Sequence, residues 1–449
     1  MPSALAGLPI ADHGRRASRT GFTAGPRAAV AAAMTPRALT FASLALSFSI
    51  TLPARAQPPA EEPEELAVRV TAEPGRGFTV AVGNGAVGNG AAGEVFSSTL
   101  RARVQLRNTV QIEGDAVSDT FELRTARIWW TGSVLDPNLR YGLQLALGAN
   151  DFEPGSASPI FDAYVESTHL RELNVRVGQF FVPFDRARTV RESALMTTDR
   201  SEVVRELTLD RDIGVVLSSS DLFGLGGILG YAAGFFGGDG RNRVAPAHTG
   251  FLYTARIFVR PMGAFDDDQE SDLSRSPDPR LMIGGAFAYN TNTDRPRSTT
   301  GTRALSAFVR ARPDYVHLAA DAVFKWRGFS FLGEVVWRDA DRDVYTFNDD
   351  AGAARTEHTR SGWGYLLQAG MLVWEGLELW GRWEHLIADP ATAPDLVRRA
   401  SELGHGLSAG ANYYIHGHAL KVQADWTCYF GDRFDLGQHF VRAQLDASF

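Results

Sequence analysis

Apolar and polar residues alternate with a period of two along most of the chain beyond residue 95. In Leu100–Arg107 the even positions are apolar, and the odd positions are arginine or glutamine. Successive side chains of a β-strand point to opposite faces, so this segment predicts a strand with one apolar and one charged face. Leu420–Thr427 and Val441–Phe449 repeat the pattern. The alternation therefore predicts an all-β chain.

Sixteen segments of this kind can be delimited, of which the sixth and seventh alternate most weakly. Their limits lie near 95–112, 119–132, 139–149, 160–169, 173–182, 211–219, 227–237, 249–260, 280–289, 314–326, 329–338, 361–374, 377–388, 404–416, 418–430 and 437–449. The run from Arg303 to Arg312 is an alternative seventeenth strand, which would make the number odd.

Short and long connectors alternate between these segments. Residues 327–328, 375–376 and 417 are tight turns, whereas the intervening connectors at 183–210, 290–313, 339–360 and 389–403 are long. This alternation is typical of outer-membrane barrels and predicts a transmembrane antiparallel β-barrel of sixteen strands over residues 95–449. The long connector 261–279 departs from it. A soluble β-sandwich or propeller is the alternative, but repeats of blade length are absent.

The energetic cost of charge in lipid decides which face is which. An arginine near the bilayer midplane costs about 2–4 kcal/mol, and the net stability of a protein is only about 5–15 kcal/mol. The charged rows are therefore predicted to face the lumen. The candidate pore-lining, anion-binding residues are Arg101, Arg103, Arg107, Arg256, Arg260, Arg382, Lys421 and Arg442.

Guanidinium groups bind oxyanions such as phosphate or carboxylate through two parallel hydrogen bonds, so a ladder of them suits anion passage. The alternative is that these charges only solvate a water-filled lumen and pair with acidic neighbours. The acidic candidates are Glu122, Glu334, Glu384 and Asp425.

The third outer loop, 183–210, is the longest of the early connectors, and loops of this length are usually functional. We predict that it folds inward and narrows the lumen, with Phe184 packed against the wall. Its arginines are Arg186, Arg188, Arg191, Arg200 and Arg205, and acidic residues alternate with them. A solvent-exposed outer loop is the alternative.

Composition narrows the class of protein. The formal net charge is −7, from 45 basic and 52 acidic residues, which excludes a general nucleic-acid binder. A single cysteine, Cys428, excludes an internal disulfide and a multi-cysteine metal site, and no cofactor is expected. A mean hydropathy of −0.14 argues against a bundle of membrane helices. Because the local field governs a narrow pore, the arginine rows predict anion preference despite the negative net charge.

The N-terminal region is predicted to precede the barrel. Residues 1–33 have no useful period and are interpreted as an upstream extension. Residues 34–56 have a charged start, an apolar stretch too short to span a bilayer and an Ala-Arg-Ala cleavage site, which predicts a secretory signal peptide. Residues 57–94 are predicted to be a flexible periplasmic segment, since they begin with a Pro/Glu-rich run and end near a Gly-rich one.

Several short motifs between Thr120 and Asn242 resemble the phosphate-selective porin O/P family of Gram-negative outer membranes. They are Leu123–Ile128, Phe161–Val165, Arg176–Phe184, Asp199–Ser201, Arg211–Val215 and the Gly-Phe-Phe-Gly-Gly-Asp-Gly run ending at Gly240. The resemblance implies a sixteen-stranded, trimeric, anion-preferring channel with an inward-folded third loop. A terminal Phe449 on an alternating strand likewise resembles the assembly signal of bacterial outer-membrane proteins.

Two departures from the family bear on its selectivity. Phe181 stands where the family commonly has lysine, and the chain contains only two lysines, Lys325 and Lys421. Family members that select phosphate use lysines in the pore. The departures therefore count against phosphate selectivity and not against the porin class.

The predicted function is an outer-membrane porin that forms a water-filled, anion-preferring channel for small solutes such as phosphate or other oxyanions. The alternatives are a general diffusion porin and a plugged structural or adhesin barrel. An enzyme is not expected, because no Gly-x-Ser-x-Gly elbow accompanies the late histidines. The expected partners are outer-membrane lipid, two further copies in a homotrimer and small anionic solutes, but not nucleic acid.

Overall fold

The computed structural model describes residues 66–84, 93–148, 151–152, 158–243, 250–299 and 305–449. The predicted upstream extension at 1–33 and signal peptide at 34–56 lie outside these residues. In the described part of the chain, no helix is both long and apolar enough to cross a membrane.

Twenty strands and three α-helices form the described fold. The strands are β1 (Leu66–Glu73), β2 (Gly77–Asn84), β3 (Glu94–Glu113), β4 (Ala116–Val134), β5 (Asp136–Ala146), β6 (Ile160–Leu170), β7 (Leu173–Phe181), β8 (Arg211–Ser219), β9 (Leu229–Phe236), β10 (Leu252–Val259), β11 (Arg280–Asn290), β12 (Tyr315–Trp326), β13 (Phe329–Ala340), β14 (Val344–Asn348), β15 (Ala354–His358), β16 (Gly362–Trp374), β17 (Leu377–Ala388), β18 (His405–His416), β19 (Leu420–Phe430) and β20 (Gln438–Ser448). The helices are α1 (Arg186–Thr189), α2 (Glu202–Leu207) and α3 (Pro394–Leu403).

Strands β3–β13 and β16–β20 form a closed antiparallel barrel of sixteen strands. Each strand pairs with its neighbours in the wall, and β20 pairs with β3 from Gln438↔Glu113 to Ser448↔Arg103. The sixteen predicted segments correspond one to one with these strands, so the predicted fold class is confirmed. Residues 305–312, the described part of the alternative extra strand, contain no strand.

A hairpin of β1 and β2 extends the sheet before the barrel begins. Strand β20 ends opposite the middle of β3, and β2 pairs with the remaining stretch of the same edge, from Phe78↔Leu100 to Gly83↔Glu94. The prediction of a flexible segment over 57–94 therefore does not describe residues 66–84. The physical reason is that the first seven residues of β3 would otherwise present unpaired backbone groups along one edge.

The two faces of the wall differ as lumen and lipid surfaces should. On the outward face Leu100 and Trp130 are each 50% exposed, whereas on the inward face Arg103 is 1% and Gln105 5% exposed. A β-bulge interrupts this alternation in β4, because Gln105 pairs with Thr125 but Leu106 pairs with Leu123. One extra residue reverses the parity beyond it.

The connector between β7 and β8, residues 182–210, is called the inner loop here because it crosses the lumen. Its backbone carbonyls accept hydrogen bonds from far strands: Lys421 Nζ donates to Leu195 at 2.7 Å, and Arg338 Nη1 donates to Glu206 at 2.7 Å. The connector between β10 and β11, residues 260–279, enters from the other end and is called the inner turn. The carboxylate of Glu270 accepts from the Met196 backbone N–H at 2.7 Å. The two connectors therefore meet inside the barrel.

The hydrophobic core of the molecule lies inside the barrel, around the inner loop. Phe184, Val203 and Leu207 are fully buried there and pack in one cluster with inward residues of the wall such as Val336 and Leu386. The two short loop helices are locally capped. The Asp185 carboxylate accepts from the Arg188 N–H at 3.2 Å, and the Ser201 hydroxyl accepts from the Val204 N–H at 3.0 Å. Apolar packing and capping together fix the loop in the lumen.

Candidate functional site

A cavity of about 510 Å³ lies between the inner loop and the wall formed by β3–β8. It is called the arginine cavity here, because eight arginines and three carboxylates line it, an excess of five positive charges. The arginines are Arg101, Arg103, Arg127, Arg176, Arg188, Arg191, Arg200 and Arg211, and the carboxylates are Asp162, Glu192 and Asp268. It has the size of an ordinary small-molecule site.

Glu192 of the inner loop ties two wall arginines together. It lies 3.4 Å from Arg103 Nη1 and 2.8 Å from Arg127 Nη1. Arg103 also binds Asp446 through two hydrogen bonds, of 2.8 and 2.6 Å, and Arg127 binds Asp151 at 2.6 Å. Burial alone would raise the pKa of Glu192, but the charges of Arg127 and Arg103 outweigh it and hold that pKa well below its ordinary value. Glu192 is therefore ionised at neutral pH and anchors the loop to β3 and β4.

Two arginines of the cavity have no partner for their guanidinium groups. In the described part of the chain, the side chain of neither Arg101 nor Arg191 makes an ion pair or a hydrogen bond. Their positive charges interact with each other. Arg191 is exposed in the cavity, and Arg101 is partly exposed on the wall opposite the loop. These two guanidinium groups are the ones available to a soluble anion.

Aromatic rings hold several of the remaining guanidinium groups in place. The Arg211 guanidinium carbon lies 3.7 Å from the ring centre of Phe161 and 3.6 Å from that of Phe181. Arg176 lies 4.6 Å from the ring centre of Tyr164. Such cation–π contacts stabilise a guanidinium without neutralising its charge.

Three of the predicted pore-lining residues position the inner loop. Arg107 Nη1 donates to the Asp199 carboxylate at 2.9 Å, and Arg382 Nη1 donates to the Asp199 carbonyl at 2.8 Å. Lys421 donates to the Leu195 carbonyl, as described above. These cations face the lumen, but the loop covers them.

Three others pair with wall or turn carboxylates. Arg256 lies 2.7 Å from Asp321, Arg260 lies 3.0 Å from Asp267, and Arg442 lies 2.8 Å from Asp425. Of the eight predicted lumenal cations, the structure therefore places only Arg101 and Arg103 in the arginine cavity. The alternative interpretation, pairing with acidic neighbours, describes Arg256, Arg260 and Arg442. It also describes Arg382, which lies 3.2 Å from Glu384, and Arg103, which binds Asp446.

The predicted loop residues divide in the same way. Arg188, Arg191 and Arg200 line the arginine cavity. Phe184 is fully buried, with its ring 5.9 Å from that of His317 in an edge-on contact. Arg186 and Arg205 point elsewhere. Arg186 lies 3.5 Å from Asp268, and Arg205 lies 2.8 Å from Glu202 and 3.2 Å from Asp199.

Sequence reasoning missed the four arginine and tryptophan residues of the cavity on β4, β7 and β8. They are Arg127, Trp129, Arg176 and Arg211. The cross-strand register was the available signal, since Arg127 pairs with Arg103 and Trp129 with Arg101. The bulge in β4 concealed it. Among the residues that the structure describes, no group of three or more histidine, cysteine or acidic side chains is arranged to hold a metal ion.

Comparison with known proteins shows the fold. No family model matches the chain, and no curated protein matches it. OmpF of Salmonella typhi, solved in a complex with daunomycin, superposes with a TM-score of 0.51 at 12% identity, over 79% of this chain and 98% of that chain. An anion-selective porin from Comamonas acidovorans has a TM-score of 0.49 at 12% identity, over 79% of this chain and 100% of that one. The chain thus has the sixteen-stranded barrel fold of outer-membrane porins, and the narrower resemblance to O/P porins stays a prediction.

Proposed function

We propose that the protein is a Gram-negative outer-membrane porin that forms a water-filled, anion-preferring channel, with the arginine cavity as its narrow part. The observation that carries this proposal is the cavity itself. Eight arginines and three carboxylates line it, and two of its guanidinium groups, those of Arg101 and Arg191, have no ion-pair or hydrogen-bond partner within the described residues. Anions that enter the barrel would pass these groups.

The negative net charge of the chain does not oppose this preference. A charge of −7 spread over 449 residues acts mainly at distances where salt screens it. In a narrow passage with low-dielectric walls, nearby charges dominate the field on an ion. The charges of Arg101 and Arg191 therefore act more strongly on a permeating ion than distant carboxylates do.

The outward face supports a location in the outer membrane. Large apolar side chains are exposed on it around the barrel, among them Leu100, Phe121, Trp130, Ile257, Leu318, Val335, Leu367, Trp383, Val422 and Leu445. Such a band is costly in water and suits a bilayer. The predicted signal peptide agrees with export.

The solute class follows from the groups that line the cavity. No lysine lines it. Planar guanidinium groups bind carboxylates and phosphates alike. We therefore propose small oxyanions in general as the solutes. We do not propose selectivity for phosphate over other anions.

A planar-bilayer measurement tests the proposal. Purified protein in a KCl gradient should give a reversal potential of anion selectivity. Arg101→Gln combined with Arg191→Gln should reduce that selectivity, because the two uncompensated charges are lost. Arg433→Gln is the control, since Arg433 is exposed on the connector between β19 and β20 and pairs with Asp435. A cation-selective reversal potential would overturn the proposal.

A plugged structural barrel is the second candidate. The observation that favours it is the contact of the inner loop with the inner turn, where Glu270 binds Met196 and also donates its N–H to the Ala194 carbonyl at 3.1 Å. If the purified protein inserts but does not conduct, the lumen is closed and this second function stands in place of the first.

A further inference from the structure

The arginine cavity contains a free aromatic side chain beside its free guanidinium groups. Trp129 lies directly across the β3–β4 pairing from Arg101, and both line the cavity. Within the described residues, the Trp129 ring makes no contact with another ring or a guanidinium group and no hydrogen bond. We propose that Arg101, Arg191 and Trp129 form a binding subsite for aromatic carboxylates. This inference rests on the proposed function, since it names the solute class of the same cavity.

Charge pairing singles out Arg101 and Arg191 as the carboxylate-binding groups. Each of the other cavity arginines already has a partner. Arg200, for example, donates to the backbone carbonyls of Val190, at 2.6 Å, and Ala187. The charges of Arg101 and Arg191 repel each other without a partner, so a carboxylate between them relieves the repulsion. Guanidinium groups also match a carboxylate in shape.

Trp129 is the ring of the cavity that is free to stack on a ligand. The rings of Phe161 and Phe181 already face Arg211, and Tyr164 already faces Arg176. An indole is a large, rigid platform, and a flat ring bound to Arg101 reaches it across one cross-strand pair, about 4.5–5.5 Å between Cβ atoms. A non-aromatic acid of equal charge and size gains less binding free energy from contact with the indole ring.

Volume permits such a ligand together with water. Pockets that bury a small organic molecule usually measure about 300–1,000 Å³, and the arginine cavity measures about 510 Å³. A one-ring acid therefore fits without displacement of Glu192, which keeps the loop in place.

Single-channel recording tests the subsite with benzoate and cyclohexanecarboxylate, two acids of the same charge and similar size. We expect benzoate to block the KCl current with roughly two- to tenfold longer residence, the range that an aromatic contact provides. Trp129→Leu should abolish the difference between the acids, and Trp129→Phe should preserve it. Trp374→Leu is the matched control, because Trp374 is 75% exposed at the end of β16. Equal residence of the two acids in the wild-type channel would overturn the inference.

Two further readouts separate this failure from failure of the proposed function. If the reversal potential shows anion selectivity but the two acids have equal residence times, the proposed channel function stands and only the aromatic subsite is wrong. If no channel forms, calorimetric titration of the folded protein in detergent with the same two acids still decides the question. Preferential binding of benzoate that Arg101→Gln and Arg191→Gln remove would support the subsite, and equal binding of both acids would overturn it.

Discussion

Glu206 near the end of α2 is a carboxylate of the inner loop that three arginines surround. Arg360 Nε donates to it at 2.8 Å, Arg338 Nη2 donates at 2.9 Å, and Arg297 lies 3.3 Å away. Burial alone would raise the pKa of Glu206, but Arg297, Arg338 and Arg360 outweigh it and lower that pKa to about 2. Removal of one partner from a buried charge cluster usually costs far more than the cluster contributes.

Glu206→Gln should therefore destabilise the protein by about 3–5 kcal/mol, because buried Arg297 and Arg338 lose their counter-charge and Arg360 keeps only Asp395. Thermal unfolding in detergent measures this as a lower melting temperature. Glu402→Gln is the control, since Glu402 is exposed on α3 and lies 3.8 Å from Arg398; its effect should stay within about 0.5 kcal/mol. Equal melting temperatures for the two variants would contradict the assigned role of Glu206.

The lowered pKa of Glu206 also predicts how the stability of the protein depends on pH. A depressed pKa in the folded state contributes stability that is complete above the unfolded value of about 4.3 and is lost as the pH falls toward the folded value. Because that folded value is about 2, the contribution of Glu206 should persist at pH 5 and fall between pH 4 and 2. Melting temperatures of the wild type and Glu206→Gln should then converge over this range, and a constant difference would contradict the assignment.

Among the elements, the inner loop is predicted to limit the passage. Residues 189–205 include Arg191 and Arg200 of the cavity and the buried apolar residues that fill the lumen. Deletion of Thr189–Arg205 should raise single-channel conductance, because it removes bulk from the lumen, and should change the ion preference, because Arg103 and Arg107 of the wall lose Glu192 and Asp199. If conductance and ion preference both keep their wild-type values, the loop does not form the constriction.

The β1–β2 hairpin is predicted to seal the wall. Without residues 66–84, the edge of β3 from Glu94 to Leu100 loses the strand that pairs with it. Deletion of the hairpin should lower the melting temperature and promote aggregation, since an open edge is a template for further pairing. Replacement of the tip of the β14–β15 hairpin, residues 349–353, by a Gly-Ser turn is the control, because these two strands pair only with each other. A larger effect of the control would contradict this role.

The strands of the whole molecule were predictable because lipid and lumen impose the same period of two on each of them. The β1–β2 and β14–β15 hairpins escaped prediction, since neither is required to alternate between lipid and water. The site was less predictable because its arginines bind partners that are distant in sequence. Arg103 with Asp446 and Arg107 with Gln444 are each more than 300 residues apart. Sequence parity shows which residues face the lumen but not which of them a loop or a carboxylate covers.

Trimer formation is expected at the scale of the assembly. Small outward residues such as Ala102 on β3 and Ala443 on β20 lie on neighbouring strands and permit close approach of two barrel walls. Light scattering of unheated detergent samples should give a molar mass of three protein chains per particle. Ala102→Trp with Ala443→Trp should weaken the trimer, whereas Ala255→Trp on β10 should not. A wild-type monomer would contradict the expectation.

Ionic strength separates a field-based selectivity from one based on size. Charges of the arginine cavity act on a passing ion through water, where the screening length is about 10 Å at 0.1 M salt and about 3 Å at 1 M. The ratio of anion to cation permeability should therefore be large in a gradient centred on 0.1 M KCl and small in one centred on 1 M. The Arg101→Gln, Arg191→Gln variant should show a weaker dependence, because its uncompensated charges are gone. Since K⁺ and Cl⁻ have similar size, a selectivity that does not change with salt would mean that the arginines do not face the permeating ion.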